Sequence, residues 1–215
     1  MIRIGKILVM TVLILWGKTG NTENNYMVQE LWQEFYVIKN FNKKIGGELL
    51  FNNLHSFSYG SYDWFLEGKI NYHAKSWLDM EFMYRQEFYD LNGITAQEYR
   101  PMARLSGKTR LGNITIRNRH RIEFRMFEVE TNHIRYRSDL MVKPDWDLTS
   151  LNLNPYLSEE IFVARGKMTR NRFYGGITGQ MGRFEPALYF LLQSDAIENG
   201  WKPRNILGVM LGIEI

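Results

Sequence analysis

The sequence predicts an all-β fold: a single antiparallel, up-and-down transmembrane β-barrel of about ten to twelve strands. Three observations carry the prediction. From residue 28 onward, segments of about ten to twelve residues alternate between charged and apolar positions, with turn chemistry between them. Aromatic residues (Tyr62, Tyr72, Trp77, Phe88, Tyr89, Phe127) gather near the ends of those segments, as interfacial girdles do. The chain also opens on a basic start followed by a short apolar run.

That opening reads MIRIGKILVMTVLILWGKTG over Met1 to Gly20, with Arg3 and Lys6 ahead of the apolar stretch Ile7 to Trp16. Such a run is too short to cross a bilayer and has the length of a signal-peptide core. Residues 1–20 are therefore expected to direct export, and 21–215 to form an outer-membrane barrel domain. Candidate strands then follow at 28–38, 45–54, 61–72, 77–88, 96–106, 114–127, 132–143, 151–164, 171–181, 185–194 and 205–215. Single-chain bacterial barrels usually have an even number of strands, so either a further short strand in Asn25 to Glu30 completes the set or one of these eleven segments is not a strand.

The alternation keeps one sense. In SYDWFLEGKINY, Asp63, Glu67, Lys69 and Asn71 oppose Tyr62, Trp64, Leu66 and Ile70. In WLDMEFMYRQEF, Asp79, Glu81, Arg85 and Glu87 oppose Leu78, Met80, Phe82 and Tyr84. Glu98, Arg100 and Arg104 share a face in 96–106, as do Arg135, Arg137 and Asp139 in 132–143. The clearest case is ITIRNRHRIEFRMFE, Ile114 to Glu128, where Arg117, Arg119, Arg121, Glu123 and Arg125 all hold odd positions. On a strand those five project from one face, whereas a helix would scatter them around its axis. A soluble sheet turns its charged face to water. A membrane barrel turns its apolar face to lipid and its charges to the lumen. Uniformly long strands, aromatic ends and the export signal favour the second arrangement; a soluble exported lipocalin-like binding protein is the alternative.

Under that arrangement the lumen holds eleven positive charges: Lys69, Arg85, Arg100, Arg104, Arg117, Arg119, Arg121, Arg125, Arg135, Arg137 and Arg172. It holds ten negative ones: Asp63, Glu67, Asp79, Glu81, Glu87, Glu98, Glu123, Asp139, Glu160 and Glu185. Strands 61–72 and 77–88 are mainly acidic and 114–127 and 132–143 mainly basic, so an acidic wall meets a basic one. Two outcomes are open. Arginine forks can pair with carboxylates and plug the lumen, or the charges can line a narrow polar passage for small polar solutes.

Other classes find little support. Losing Arg3, Lys6 and Lys18 takes three charges from the formal +4 and leaves +1. That is too little net charge for a nucleic-acid protein. The absence of cysteine excludes disulfides, thiolate metal sites and cysteine nucleophiles, and no metal spacing or cofactor motif is present. His55 and His73 fall in connections, and His120 has outward parity. His133 shares parity with Arg135 but has no serine placed beside it, since Ser138 lies on the opposite face. Glu159 and Glu160 are adjacent and point opposite ways on a strand, which is not a paired-carboxylate site. No catalytic residue is assigned; an outer-membrane enzyme acting on lipid is the alternative class, with His133 the first residue to test.

RHRIEFR (Arg119 to Arg125), IRYR (Ile134 to Arg137), PYLSEEIF (Pro155 to Phe162) and NRFYGG (Asn171 to Gly176), in that order, resemble an uncharacterised bacterial family of outer-membrane β-barrels, domain of unknown function 2490. The resemblance covers nearly all of the chain after residue 20. Carried over, the recurrent positions are Arg119, Arg121, Glu123, Arg125, Arg135, Arg137, Glu159, Glu160, Asn171, Arg172 and Gly176. It implies a bacterial outer-membrane location, with membrane lipid and the barrel-assembly machinery as partners, and it implies no activity. A monomer without cofactor is expected.

Overall fold

The computed structural model describes residues 28–146 and 152–215; the expected export signal and Asn25 to Met27 lie outside the described residues. Eleven strands form among them: β1 (Glu30–Asn40), β2 (Ile45–Ser56), β3 (Gly60–Lys75), β4 (Leu78–Leu91), β5 (Ile94–Leu111), β6 (Ile114–Phe127), β7 (His133–Pro144), β8 (Asn154–Ala164), β9 (Lys167–Thr178), β10 (Phe184–Ile197) and β11 (Gly200–Glu214). Each pairs with its sequence neighbour and the sheet closes on itself. Two connections are two-residue hairpins with both central residues in the left-handed region, Asn92 (φ 55°) with Gly93 (φ 85°) and Arg165 (φ 52°) with Gly166 (φ 72°). This turn geometry matches the right-handed twist of the strands it joins and so fixes their register.

The closing pair departs from an antiparallel barrel. β1 and β11 run parallel, from Glu30 opposite Ile206 to Ile38 opposite Glu214. Consecutive up-and-down strands alternate direction, so the first and last of an odd number run the same way and close in parallel. The described barrel is therefore odd in strand number, contrary to the even number expected. Several strands also outrun their expected limits. β5 continues through Gly107 to Leu111, and β9 begins at Lys167 rather than at residue 171. β10 and β11 extend almost to each other across Glu198 and Asn199.

The two faces of the sheet are inverted relative to a soluble protein. Phe35, Leu49, Leu66, Phe82, Leu105, Ile134, Leu140 and Leu188 are exposed on the outside. Glu67, Glu98, Arg100, Glu123, Arg137 and Glu160 are buried on the inside. A soluble monomer rarely exposes apolar surface on this scale, whereas a barrel in hydrocarbon requires it. Aromatics mark both rims. Trp64 stacks on Phe88 with ring centroids 4.1 Å apart, and Tyr89 meets Phe127 edge-on at 6.4 Å. Trp77 sits in the turn at the opposite rim.

The interior also has an apolar sector, built from Trp32, Leu50, Leu54, Phe65, Tyr189, Leu191 and Ile206. Glycine makes room for it. Tyr189 on β10 stands opposite Gly208 on β11 and Gly176 on β9, and its hydroxyl donates to Glu34. A methyl group added at Gly208 would lie within the Tyr189 ring. Gly208→Ala is expected to displace the ring, break its hydrogen bond to Glu34 and destabilise the barrel by about 1–3 kcal/mol, the usual cost of overpacking. Urea titration of intrinsic fluorescence checks this.

Candidate functional site

The barrel interior encloses a cavity of about 770 Å³. Its lining runs from Asp90 and Glu130 near one rim to Ile38 and Glu185 near the other. β1, β2, β10 and β11 give it an aromatic and aliphatic arc. β3 to β9 give it the charged arc.

On the charged arc, ion pairs join neighbouring strands along the wall. Arg85 on β4 donates from Nε (2.8 Å) and Nη2 (2.6 Å) to Glu67 on β3. Arg100 on β5 makes a fork to Glu98 (2.6 and 2.6 Å) and reaches Glu87 on β4 at 2.8 Å. Arg125 on β6 makes a second fork to the same Glu98 (2.7 and 2.6 Å). A further chain starts at Glu123 on β6, which holds Arg135 (2.6 Å) and Arg137 (3.0 Å) of β7. Arg137 passes to Glu160 on β8, and Glu160 to Arg172 on β9 at 3.6 Å. Arg172 donates to Gln193 (2.7 Å), Gln193 to Asp195 (2.8 Å), and Arg204 joins Asp195 (2.7 Å) to Glu30 on β1 (2.6 Å). Tyr62 on β3 donates to the other oxygen of Glu30 at 2.6 Å.

The two chains together visit every described strand except β2. Within these two chains, buried guanidinium and carboxylate groups are tolerated because they pair with one another and with Gln193 and Tyr62. Phe162, with no exposed surface, lies among the guanidinium groups of Arg135, Arg137, Arg170 and Arg172 at 4.5–5.6 Å from its ring centroid.

The residues assigned from the sequence fall as follows. Asp63, Glu67, Glu81, Arg85, Arg100, Arg104, Arg117, Arg119, Arg121, Arg125, Arg135, Arg137, Asp139, Glu160 and Arg172 border the cavity. Glu123 points inward but is sealed beneath its arginines, with no exposed surface. Asp79 sits at the start of β4, accepting from His73 at 2.7 Å, away from the cavity. The acidic strands β3 and β4 are separated from the basic strands β6 and β7 by β5 alone, so the acidic and basic walls meet side by side around the barrel. Glu159 and Glu160 do point opposite ways; Glu159 faces outward and accepts from Asn171 at 3.0 Å.

Glu30, Glu34, Arg170, Asp195 and Arg204 escaped the sequence reading. Arg170, Asp195 and Arg204 lie just outside the strand limits expected from the sequence, and carrying the strand parity from Arg172, Gln193 and Ile206 by two residues reaches each of them. β1 gave no signal, because its inward row, Glu30, Trp32, Glu34, Tyr36 and Ile38, mixes acidic with apolar residues.

Among the described residues, the His133 ring meets the carbonyl of Thr131 (3.1 Å) and the ring of Phe127 (centroids 5.4 Å). Two histidines lie beside a serine: His55, its Nδ1 at 3.3 Å from Ser61 Oγ, and His120 on the outer face, its Nδ1 at 3.5 Å from Ser138 Oγ and 2.5 Å from the Tyr136 hydroxyl. No carboxylate backs either ring among the described hydrogen bonds, so both sets lack the third group that orients a base. No cluster of metal-ligating side chains occurs among the described residues.

Among solved structures, the chain resembles LpxR from Salmonella typhimurium, with a TM-score of 0.50 and 9% identity over 79% of this chain and 83% of that one. It also resembles an anion-selective porin from Comamonas acidovorans, with a TM-score of 0.41 and 8% identity over 81% of this chain and 53% of that one. At such identities the likeness concerns the barrel fold alone. No curated protein matches the chain. The family model described as protein of unknown function (DUF2490) matches residues 29–184, and the chain belongs to that family.

Proposed function

We propose that this chain is a monomeric bacterial outer-membrane barrel whose lumen is a narrow polar channel for small solutes. In this reading, residues 1–20 direct its export and the barrel-assembly machinery inserts it into membrane lipid. The observation that carries the channel reading is the direction of the ion pairs. They run around the wall between neighbouring strands and leave a cavity of about 770 Å³ lined from rim to rim. A plug of the same charges would pair them across the axis. Spread over the ~30 Å thickness of the hydrocarbon, the cavity averages roughly 25 Å² in cross-section. A passage of that mean width would suit water, ions and small organic solutes rather than oligosaccharides. The apolar outer face supports the membrane location over the soluble binding alternative.

The purified protein in planar bilayers is expected to give discrete, small conductance steps. Arg172 projects inward from β9, its guanidinium 4.8 Å from the Trp32 ring of β1 and 4.9 Å from that of Phe162. Arg172→Ala should therefore widen the passage and enlarge the steps. Absence of steps in both proteins, with folding intact, would leave a sealed structural barrel and overturn the channel reading.

A further inference from the structure

We propose that the lumen contains a built oxyanion site on β5 and β6. It rests on the aqueous lumen described above but not on conduction through it. On β5, Arg104, Ser106 and Lys108 face inward; directly opposite on β6 stand Arg121, Arg119 and Arg117. Five of these six positions are cationic, and Arg104 and Arg121 form a like-charged cross-strand pair. Such a pair opposes sheet formation, so its presence at a buried position needs a counter-charge.

The protein supplies only part of it. Glu81 contacts Arg104, and Asp139 holds Arg119 at 2.6 Å. Glu67 and Glu123, the nearest further carboxylates along the wall, are committed to Arg85 and to Arg135 and Arg137. Arg121 is left with Glu123 at 3.6 Å and the Met102 sulfur at 3.9 Å. Arg117 makes no ion pair or hydrogen bond among the described residues, and its buried Nε has no partner. Arg104 Nε and Ser106 Oγ are likewise buried without a partner, on residues more than nine-tenths buried.

Two surplus guanidinium charges, two unfilled Nε donors and one unfilled hydroxyl thus converge on one stretch of wall. Guanidinium forks match phosphate and carboxylate groups in geometry as well as charge. The ligand is a small soluble oxyanion, a phosphate- or carboxylate-bearing solute entering from the aqueous lumen. Glu185 lines the same cavity from β10.

The test is calorimetric titration of the intact barrel in neutral detergent with inorganic phosphate, at constant ionic strength held by sodium chloride. Saturable binding is expected, weakened at least about tenfold by Arg117→Gln, since a lost charge-assisted hydrogen bond is worth a factor of that order. Arg117 belongs to no ion pair, so this variant leaves the wall network intact. Heat-modifiable migration in electrophoresis verifies its fold. Equal binding by Arg117→Gln, or no binding of phosphate beyond that of chloride, overturns the proposal.

If Arg117→Gln fails to fold, competition in the wild-type protein decides. Displacement of phosphate by sulfate or acetate but not by equal chloride supports the site, and equal displacement by chloride overturns it. A parallel titration with mixed micelles containing phosphatidylglycerol separates the sources. Binding of the lipid headgroup without binding of free phosphate would place the anion at the membrane rim and sink the lumen site. Conductance without phosphate binding would discard this site alone, whereas phosphate binding without conductance would discard the channel alone.

Discussion

Glu123→Gln is expected to destabilise the folded barrel by about 3–5 kcal/mol, the usual cost of removing one partner from a buried ion pair. Glu123 has no exposed surface and sits among three guanidinium groups, Arg135 at 2.6 Å, Arg137 at 3.0 Å and Arg121 at 3.6 Å. It is the only carboxylate that Arg135 contacts among the described ion pairs. Glutamine keeps the shape and removes the charge, so three cations would then crowd one another in a site that water cannot relieve. The temperature at which the folded band converts to the unfolded one should fall markedly. A control defines the scale. Arg110 and Asp145 approach to 2.5 Å but Arg110 is 66% exposed. Asp145→Asn should change stability by no more than about 1 kcal/mol, because exposed pairs are weak and screened. If both substitutions have the same small effect, the buried network does not hold the barrel together.

The sequence made the charged arc legible and left the apolar arc dark, for a physical reason. On β3 to β7 the inward rows are mainly charged and the outward rows mainly apolar, so parity alone sorts the faces. On β1, β10 and β11 both faces carry aromatic and aliphatic residues. There Trp32, Tyr189, Leu191 and Ile206 face the interior while Phe35, Leu188 and Val209 face out. Alternation of hydropathy vanishes when both sides are apolar, and only closure of the barrel decides which side is which. The same limit applies to ion pairing. Parity identified Glu67, Arg85, Arg100 and Arg137 as sharing an interior, but cross-strand register determines that they pair with neighbours along the wall. Register depends on where each strand starts, which turn chemistry locates only to within a few residues. That uncertainty also hid Arg170, Asp195 and Arg204.

The inverted faces make their own strong prediction. Leu66 lies in the middle of β3 with 54% of its surface exposed. Its sequence neighbour Glu67 points the other way and is bound by Arg85. If the outer face met water, Leu66→Arg would be a surface substitution worth no more than about 0.5 kcal/mol. Facing hydrocarbon near the bilayer midplane, the same change should cost about 2–4 kcal/mol. The measurement is equilibrium unfolding in urea after insertion into phosphatidylcholine vesicles, with the same titration in detergent micelles for comparison. A large loss in vesicles identifies β3 as lipid-facing, and repeating the substitution at Leu140 on β7 and Leu188 on β10 extends the assignment around the circumference. Substitutions that are neutral at all three positions would mean that the exposed apolar belt covers something other than lipid. The parity argument would survive that outcome, since Glu67 would still face the interior, but the membrane assignment would not.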